Sequence, residues 1–101
     1  MSNLIQQSQP PQEIVDQIIS LYNQGQLERT VSLAESQAEQ YPNALILYDI
    51  LGAAYVDLKN TEKTIESYQN ALRINPNHTD AYNNMGMALY DQGKFNEAVE
   101  C

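Results

Sequence analysis

Shifting the chain by 34 residues against itself places Pro42 on Pro76, Asn43 on Asn77, Tyr48 on Tyr82, Gly52 on Gly86, Ala54 on Ala88 and Asp57 on Asp91. A double shift places Gly25 on Gly93. A fixed period of this length marks a stack of copied supersecondary units, each covering the apolar face of its neighbour. Stacks of this kind are quasi-linear and offer extended surfaces. The period therefore predicts presentation of a surface to a partner rather than chemistry in an enclosed pocket.

Within each period the apolar residues follow a helical rhythm. Ile14, Val15, Ile18, Ile19, Leu21 and Tyr22 recur at spacings of three and four, so one broad face of a helix from Gln12 is apolar. The pair Pro10-Pro11 can open that helix, and Asn23-Gln24-Gly25 ends it, Gly25 suiting a left-handed turn. A second helix is predicted from Leu27 to Gln40 and is stopped by Pro42, with Asn43 as N-cap of the next. The pattern then repeats: a helix from Ala44 to about Leu58, a Lys59-Asn60 turn, and a helix from Thr61 to Ile74 before Pro76. A third round gives a helix from Thr79 to Asp91, a Gln92-Gly93 turn and a last helix from Phe95. Two- or three-residue turns force consecutive helices antiparallel. The expected fold is all-α: antiparallel helix-turn-helix pairs stacked as a right-handed α-solenoid, two full repeats and a truncated third. Residues 1–10 read as a flexible leader, and the repeats as 11–44, 45–78 and 79–101.

Thirteen acids against five bases give a net charge of -8. That sign opposes the phosphate backbone of nucleic acids and anionic lipid, so neither is an expected partner. No apolar run approaches the ~20 residues of a membrane helix, and no signal peptide opens the sequence; a cytoplasmic protein is the default expectation. A single cysteine, Cys101, builds no internal disulfide framework.

The second period carries Tyr48, Leu51-Gly52 and Tyr55, then Tyr68, Ala71 and Pro76, in the order aromatic, Leu-Gly, Tyr, aromatic, Ala, Pro. This resembles the tetratricopeptide repeat in pattern and length. Tyr48 stands where the family often has Trp, Thr64 where it prefers Ala, and Lys59 where its turn prefers Gly. The third period keeps Tyr82, Met85-Gly86, Gly93 and Ala98; the first matches least, with Ile18 in the place of the glycine. The bare backbones of Gly52 and Gly86 are expected to let the second helix of the same repeat approach closely, while Tyr48, Tyr55 and Tyr68 fill the space between helices. Most tyrosines recur with the period and are assigned to the core, Tyr22 and Tyr90 to the surface.

The resemblance implies that the first helix of each repeat lines a concave groove that holds a peptide or helix of another protein. By phase the groove draws on Val15, Ile19 and Tyr22, then Ile46, Asp49, Ala53, Val56 and Asp57, then Asp80, Asn83, Met87, Tyr90 and Asp91. All five bases, Arg29, Lys59, Lys63, Arg73 and Lys94, fall in turns or second helices. Chaperone-binding relatives clamp a C-terminal carboxylate with cations on their first helices, so a chaperone carboxylate is not an expected partner. The groove acids Asp49, Asp57, Asp80 and Asp91 suit a basic or neutral polar partner, or form a solvated face. Asn83-Asn84-Met85-Gly86 also resembles the Asn-Leu-Gly of bacterial-type repeats attached to O-GlcNAc transferase-like enzymes, which hold a peptide backbone on a ladder of asparagines. Here Asn84 is one rung, because Ile50 and Asp16 occupy the matching positions.

Nothing in the chain has the spacing of catalytic machinery. His78 lacks the second histidine or clustered cysteines that a metal site needs and reads as a polar residue at a helix start. The expectation is a non-catalytic interaction scaffold without cofactor or metal, or alternatively the amino-terminal recognition domain of a larger glycosyltransferase- or sulfotransferase-like enzyme. The last repeat breaks off at Cys101, which predicts a fragment of a longer protein. An open end would expose Met85, Leu89, Phe95 and Ala98, and predicts a homodimer through the third repeat with a Cys101-to-Cys101 disulfide under oxidising conditions.

Overall fold

The computed structural model describes residues 9–91. Among them are five helices: α1 (Gln12–Asn23), α2 (Leu27–Gln40), α3 (Leu45–Asp57), α4 (Thr61–Ile74) and α5 (Thr79–Asp91). No strand occurs among the described residues. The expected helix from Phe95 lies outside them. Each helix packs against the next in the chain, and α1 also packs against α3. Pairs α1–α2 and α3–α4 are thus complete helix-turn-helix units, and α5 leans on α4 as the first helix of a third.

The turns show why the period is 34 residues. At the end of α1 the Gln26 amide donates to the Leu21 carbonyl and the Gly25 amide to Tyr22, with Gly25 at φ +78°. At the end of α3 the Asn60 amide donates to Tyr55 and the Lys59 amide to Val56, with Lys59 at φ +63°. These are the paired bonds of a Schellman cap, formed at matching positions of consecutive repeats. Lys59 therefore holds a left-handed backbone that favours glycine, and this is the conformation behind the preference for Gly at that turn. The second helices end alike: Tyr41 and Asn75, each before a proline, adopt extended ψ values of 70° and 94°.

Asn43 does not cap α3. The N-cap is Ala44, without a side-chain bond. Asn43 instead accepts a hydrogen bond at 3.2 Å from Arg73, which also donates to the Pro42 carbonyl at 3.0 Å. The guanidinium of α4 thus ties down the inter-repeat corner, and that use of Asn43 competes with capping. Asn60 is the residue that does cap, its side chain accepting from the Lys63 amide.

Ile18, Ala34, Leu47, Tyr48, Leu51, Tyr55, Tyr68, Ala71, Met85 and Leu89 belong to one continuous core cluster. Thr64, the departure from the family's alanine, is fully buried, and Thr30 one period earlier is buried too. Each hydroxyl donates to the carbonyl four residues back, at Asn60 and Gln26, so burial leaves no unsatisfied group. Tyr48 donates to the Pro42 carbonyl at 3.0 Å, and Tyr55 donates to the Glu35 carboxylate of α2. Tyr82, one period after Tyr48, does not share its burial and is 40% exposed.

Gly52 is the tightest point of the second repeat. A Cβ there would lie 2.4 Å from Cζ of Tyr68 and 2.7 Å from both flanking ring carbons. The close approach expected at this glycine is made by the Tyr68 ring of α4. One period earlier the pair is Ile18 and Ala34, both fully buried. The bulk is exchanged between the two helices: small on α3 and large on α4, but large on α1 and small on α2. Ile18 in the place of glycine is therefore matched by Ala34 in the place of tyrosine.

The expected self-association edge loses two of its members. Met85 and Leu89 are 8% and 6% exposed and lie in the core cluster. They are one period after Leu51 and Tyr55, which are buried as well, so this phase of the first helix faces inward in both repeats. Phe95, Ala98 and Cys101 lie outside the described residues.

Burial also fixes how three phenols respond to base. Burial first, and then the carboxylates that accept their protons, hold Tyr55 (beside Glu35) and Tyr22 (beside Asp57) above the ordinary value of 10.0. Tyr68 is likewise raised, chiefly by burial, while its bond from Asn84 acts the other way. A phenol raised on folding contributes stability that is intact below pH 10 and is lost above it, because the unfolded chain ionises first. Stability to urea is thus expected to fall as pH rises beyond about 10. Tyr55→Phe should flatten that fall, and equal slopes for the two proteins would refute it.

Candidate peptide-binding groove

Because α5 rests on α4, a gap opens between α3 and α5, and residues of α4 show through it. The gap is a concavity of about 550 Å³. Its walls are Ala53, Val56 and Asp57 of α3 and Asn84, Met87, Ala88 and Asp91 of α5, with Tyr22 of α1 at one end. Thr64 and Tyr68 of α4 form the floor, and Lys59 and Thr61 the rim.

Of the groove residues expected from the sequence, this concavity gathers Tyr22, Ala53, Val56, Asp57, Met87 and Asp91. Val56 and Met87 are 44% and 65% exposed, large apolar side chains held open to solvent. Ile19, Ile46, Asp80, Asn83 and Tyr90 are exposed but do not line it. Val15 is a correction: at 7% exposure it is core, one helical step from the buried Ile18 on the packed face of α1. Asp49 is a second correction, since it is not an open acid of the groove. Its carboxylate oxygens lie 2.9 and 3.0 Å from Nε2 of His78, the residue just before α5. His78 is thus a link between repeats and does more than begin a helix.

Sequence reasoning missed the α4 contribution. Thr61, Thr64 and Tyr68 reach the concavity because α3 and α5 are splayed above them, a geometry that periodicity does not encode. Asn84, read from the sequence as a single rung of an asparagine ladder, donates to the Tyr68 hydroxyl at 3.3 Å and so fastens the floor to the far wall. Tyr22 donates to Oδ2 of Asp57 at 3.0 Å, which orients that carboxylate across the first two repeats. Lys59 was assigned to a turn, and it is in one; the turn nevertheless brings it to the rim.

Among the described residues, no group of three or more His, Cys, Asp or Glu side chains is arranged to hold a metal ion. No helix among them is long and apolar enough to cross a membrane.

Helix pairs joined by Schellman turns and stacked in this register define a solenoid of helical repeats. Residues 52–93 match the family model described as TPR repeat, so this stretch of the chain is similar to that family. The chain's curated relatives include the peroxisomal targeting signal receptor of Saccharomyces cerevisiae, 27% identical over 78 residues, which are 77% of this chain and 13% of that protein. Another is the small glutamine-rich tetratricopeptide repeat-containing protein 2 of the same yeast, 34% identical over 59 residues, 58% of this chain and 17% of the relative. The chain therefore spans less than a fifth of the length of these relatives.

Solved structures agree on the fold. The second TPR of Spaghetti (RPAP3), bound to an HSP90 peptide, superposes with a TM-score of 0.83 at 20% identity, covering 94% of this chain and 85% of its own. A mutant of MamA superposes with a TM-score of 0.82 at 20% identity, covering 88% and 65%.

Proposed function

We propose that this chain is a non-catalytic interaction module that holds an extended segment of another protein along the concave face of α1, α3 and α5. The observation that carries the reading is the α3–α5 concavity, where Val56 and Met87 stand exposed beside orienting polar groups. Apolar side chains kept open to water in a cleft are poised to bury area against a ligand. A structure of the same fold that holds a peptide is in keeping with this use.

A structure of the same fold is bound to an HSP90 peptide, so the fold itself does not exclude a chaperone tail, and what disfavours its carboxylate here is the charge of the first helices. Helices α1, α3 and α5 carry Glu13, Asp16, Asp49, Asp57, Asp80 and Asp91 and no Lys or Arg. Among the described residues Lys59 is the one cation lining the concavity, and a single ammonium does not make a clamp.

The test is selection of peptides from a random 12-residue display library on the whole chain. Binding of the selected peptides should fall about tenfold or more in the double variant Val56→Ser, Met87→Ser. It should be unchanged by Gln69→Ala on the exposed surface of α4. Equal loss in both variants, or in neither, would contradict a groove on the first helices.

A further inference from the structure

Resting on that reading of the groove, we infer that the α3–α5 concavity is an anchor pocket for a basic side chain, arginine or lysine, of the bound segment. Three features of its lining converge on that occupant.

The first is charge. Asp57 and Asp91 stand on opposite walls. Tyr22 takes up one oxygen of Asp57 and so aims the carboxylate while leaving Oδ1 open to a second donor. Asp91 has no hydrogen bond or ion pair among the described residues. An incoming cation would thus meet two carboxylates that are in no ion pair among the described residues.

The second is the surface between the acids. Val56, Ala53 and Met87 supply a strip of methyl and thioether groups, on which the methylene stem of a long basic side chain can lie while its head reaches the carboxylates. A purely polar ligand would leave that strip wet, and a purely apolar one would strip water from two unpaired carboxylates at a cost.

The third is aromatic. Tyr22, only partly buried, lines the same concavity, and the face of a tyrosine ring attracts a cation, the planar guanidinium most of all, while the buried Tyr68 is its floor. Tyr68 is fixed by Gly52 beneath it and Asn84 beside it, so its ring is placed before a ligand arrives.

Lys59 makes the inference testable by sign. Its ammonium repels a basic occupant and attracts an acidic one, so removing it reports the charge of what is bound. Lys59→Gly is suited to this purpose, because glycine fits the left-handed backbone of that turn. Peptides from the same 12-residue library that lose binding in the Val56→Ser, Met87→Ser variant are the probes. We expect them to be enriched in Arg or Lys at one position, and replacing that residue by Gln to weaken binding about tenfold. Asp91→Asn should abolish most of the Arg-over-Gln preference, Lys59→Gly should tighten binding a few-fold, and raised salt should weaken it.

Groove-dependent peptides with no basic enrichment, or with acidic enrichment and loss of binding in Lys59→Gly, would overturn the inference and leave the groove reading standing. A library that yields no groove-dependent peptide would overturn both.

Discussion

Replacing Gly52 by leucine will destabilise the chain by roughly 1 to 3 kcal/mol. The first atom of any side chain at position 52 would sit 2.4 Å from Cζ of Tyr68, well inside van der Waals contact. The ring cannot yield freely, because it is 3% exposed and its hydroxyl is bonded by Asn84. A shift towards the α3–α5 concavity, which Tyr68 lines, would narrow that space. Alanine at 52 pushes the same ring but gains up to about 1 kcal/mol of helix propensity, so its effect will be smaller than that of leucine. Urea denaturation measures both, and an unchanged midpoint for Gly52→Leu would rule out the close approach.

Tyr68→Ala will cost more, about 3 to 5 kcal/mol, by leaving a cavity between α3 and α4. For a domain whose whole stability is on the order of 5 to 15 kcal/mol, that loss approaches unfolding. The first repeat says how it can be offset. Ile18 and Ala34 fill the equivalent space with the bulk on the opposite helix. The double variant Gly52→Ile, Tyr68→Ala rebuilds that arrangement, and its loss should be smaller than the sum of the single losses by at least 1 kcal/mol, the scale of coupling between contacting residues. Additive losses would show that positions 52 and 68 do not share one space.

The same pair shows what the sequence makes legible. Caps and breakers are local signals, so α1, α2 and α4 begin and end where Pro11, Gly25, Asn60 and the Tyr41-Pro42 and Asn75-Pro76 steps say they should, and α5 begins at the expected Thr79. The Leu-Gly of the second repeat likewise announces a close helix contact. In contrast, Ile18 reads as a defect of the first repeat until Ala34 is seen across from it, because compensation between helices is visible only when the partners are known.

The groove was legible by halves. Tyr22, Val56, Asp57, Met87 and Asp91 follow from the phase of the first helix. Thr61, Thr64 and Tyr68 do not, since they belong to a second helix that lies beneath the concavity where its neighbours splay. Val15 was misplaced because an apolar residue at the groove phase can turn inward at the first repeat. Met85 and Leu89 carried a usable warning, their one-period relation to Leu51 and Tyr55. The pairing of Asp49 with His78 joins residues 29 apart, close to but not on the period, and no local pattern announces it.

The central claim is that a partner segment lies across the first helices, and amide chemical-shift mapping of the whole chain with a library-selected peptide tests it most directly. The account predicts that the largest shifts fall on Tyr22, Val56, Met87 and Asp91 and on the α4 residues that show between them, Thr61 and Tyr68. Shifts concentrated instead on the outer residues of α2 and α4, such as Ser36 and Gln69, would contradict it.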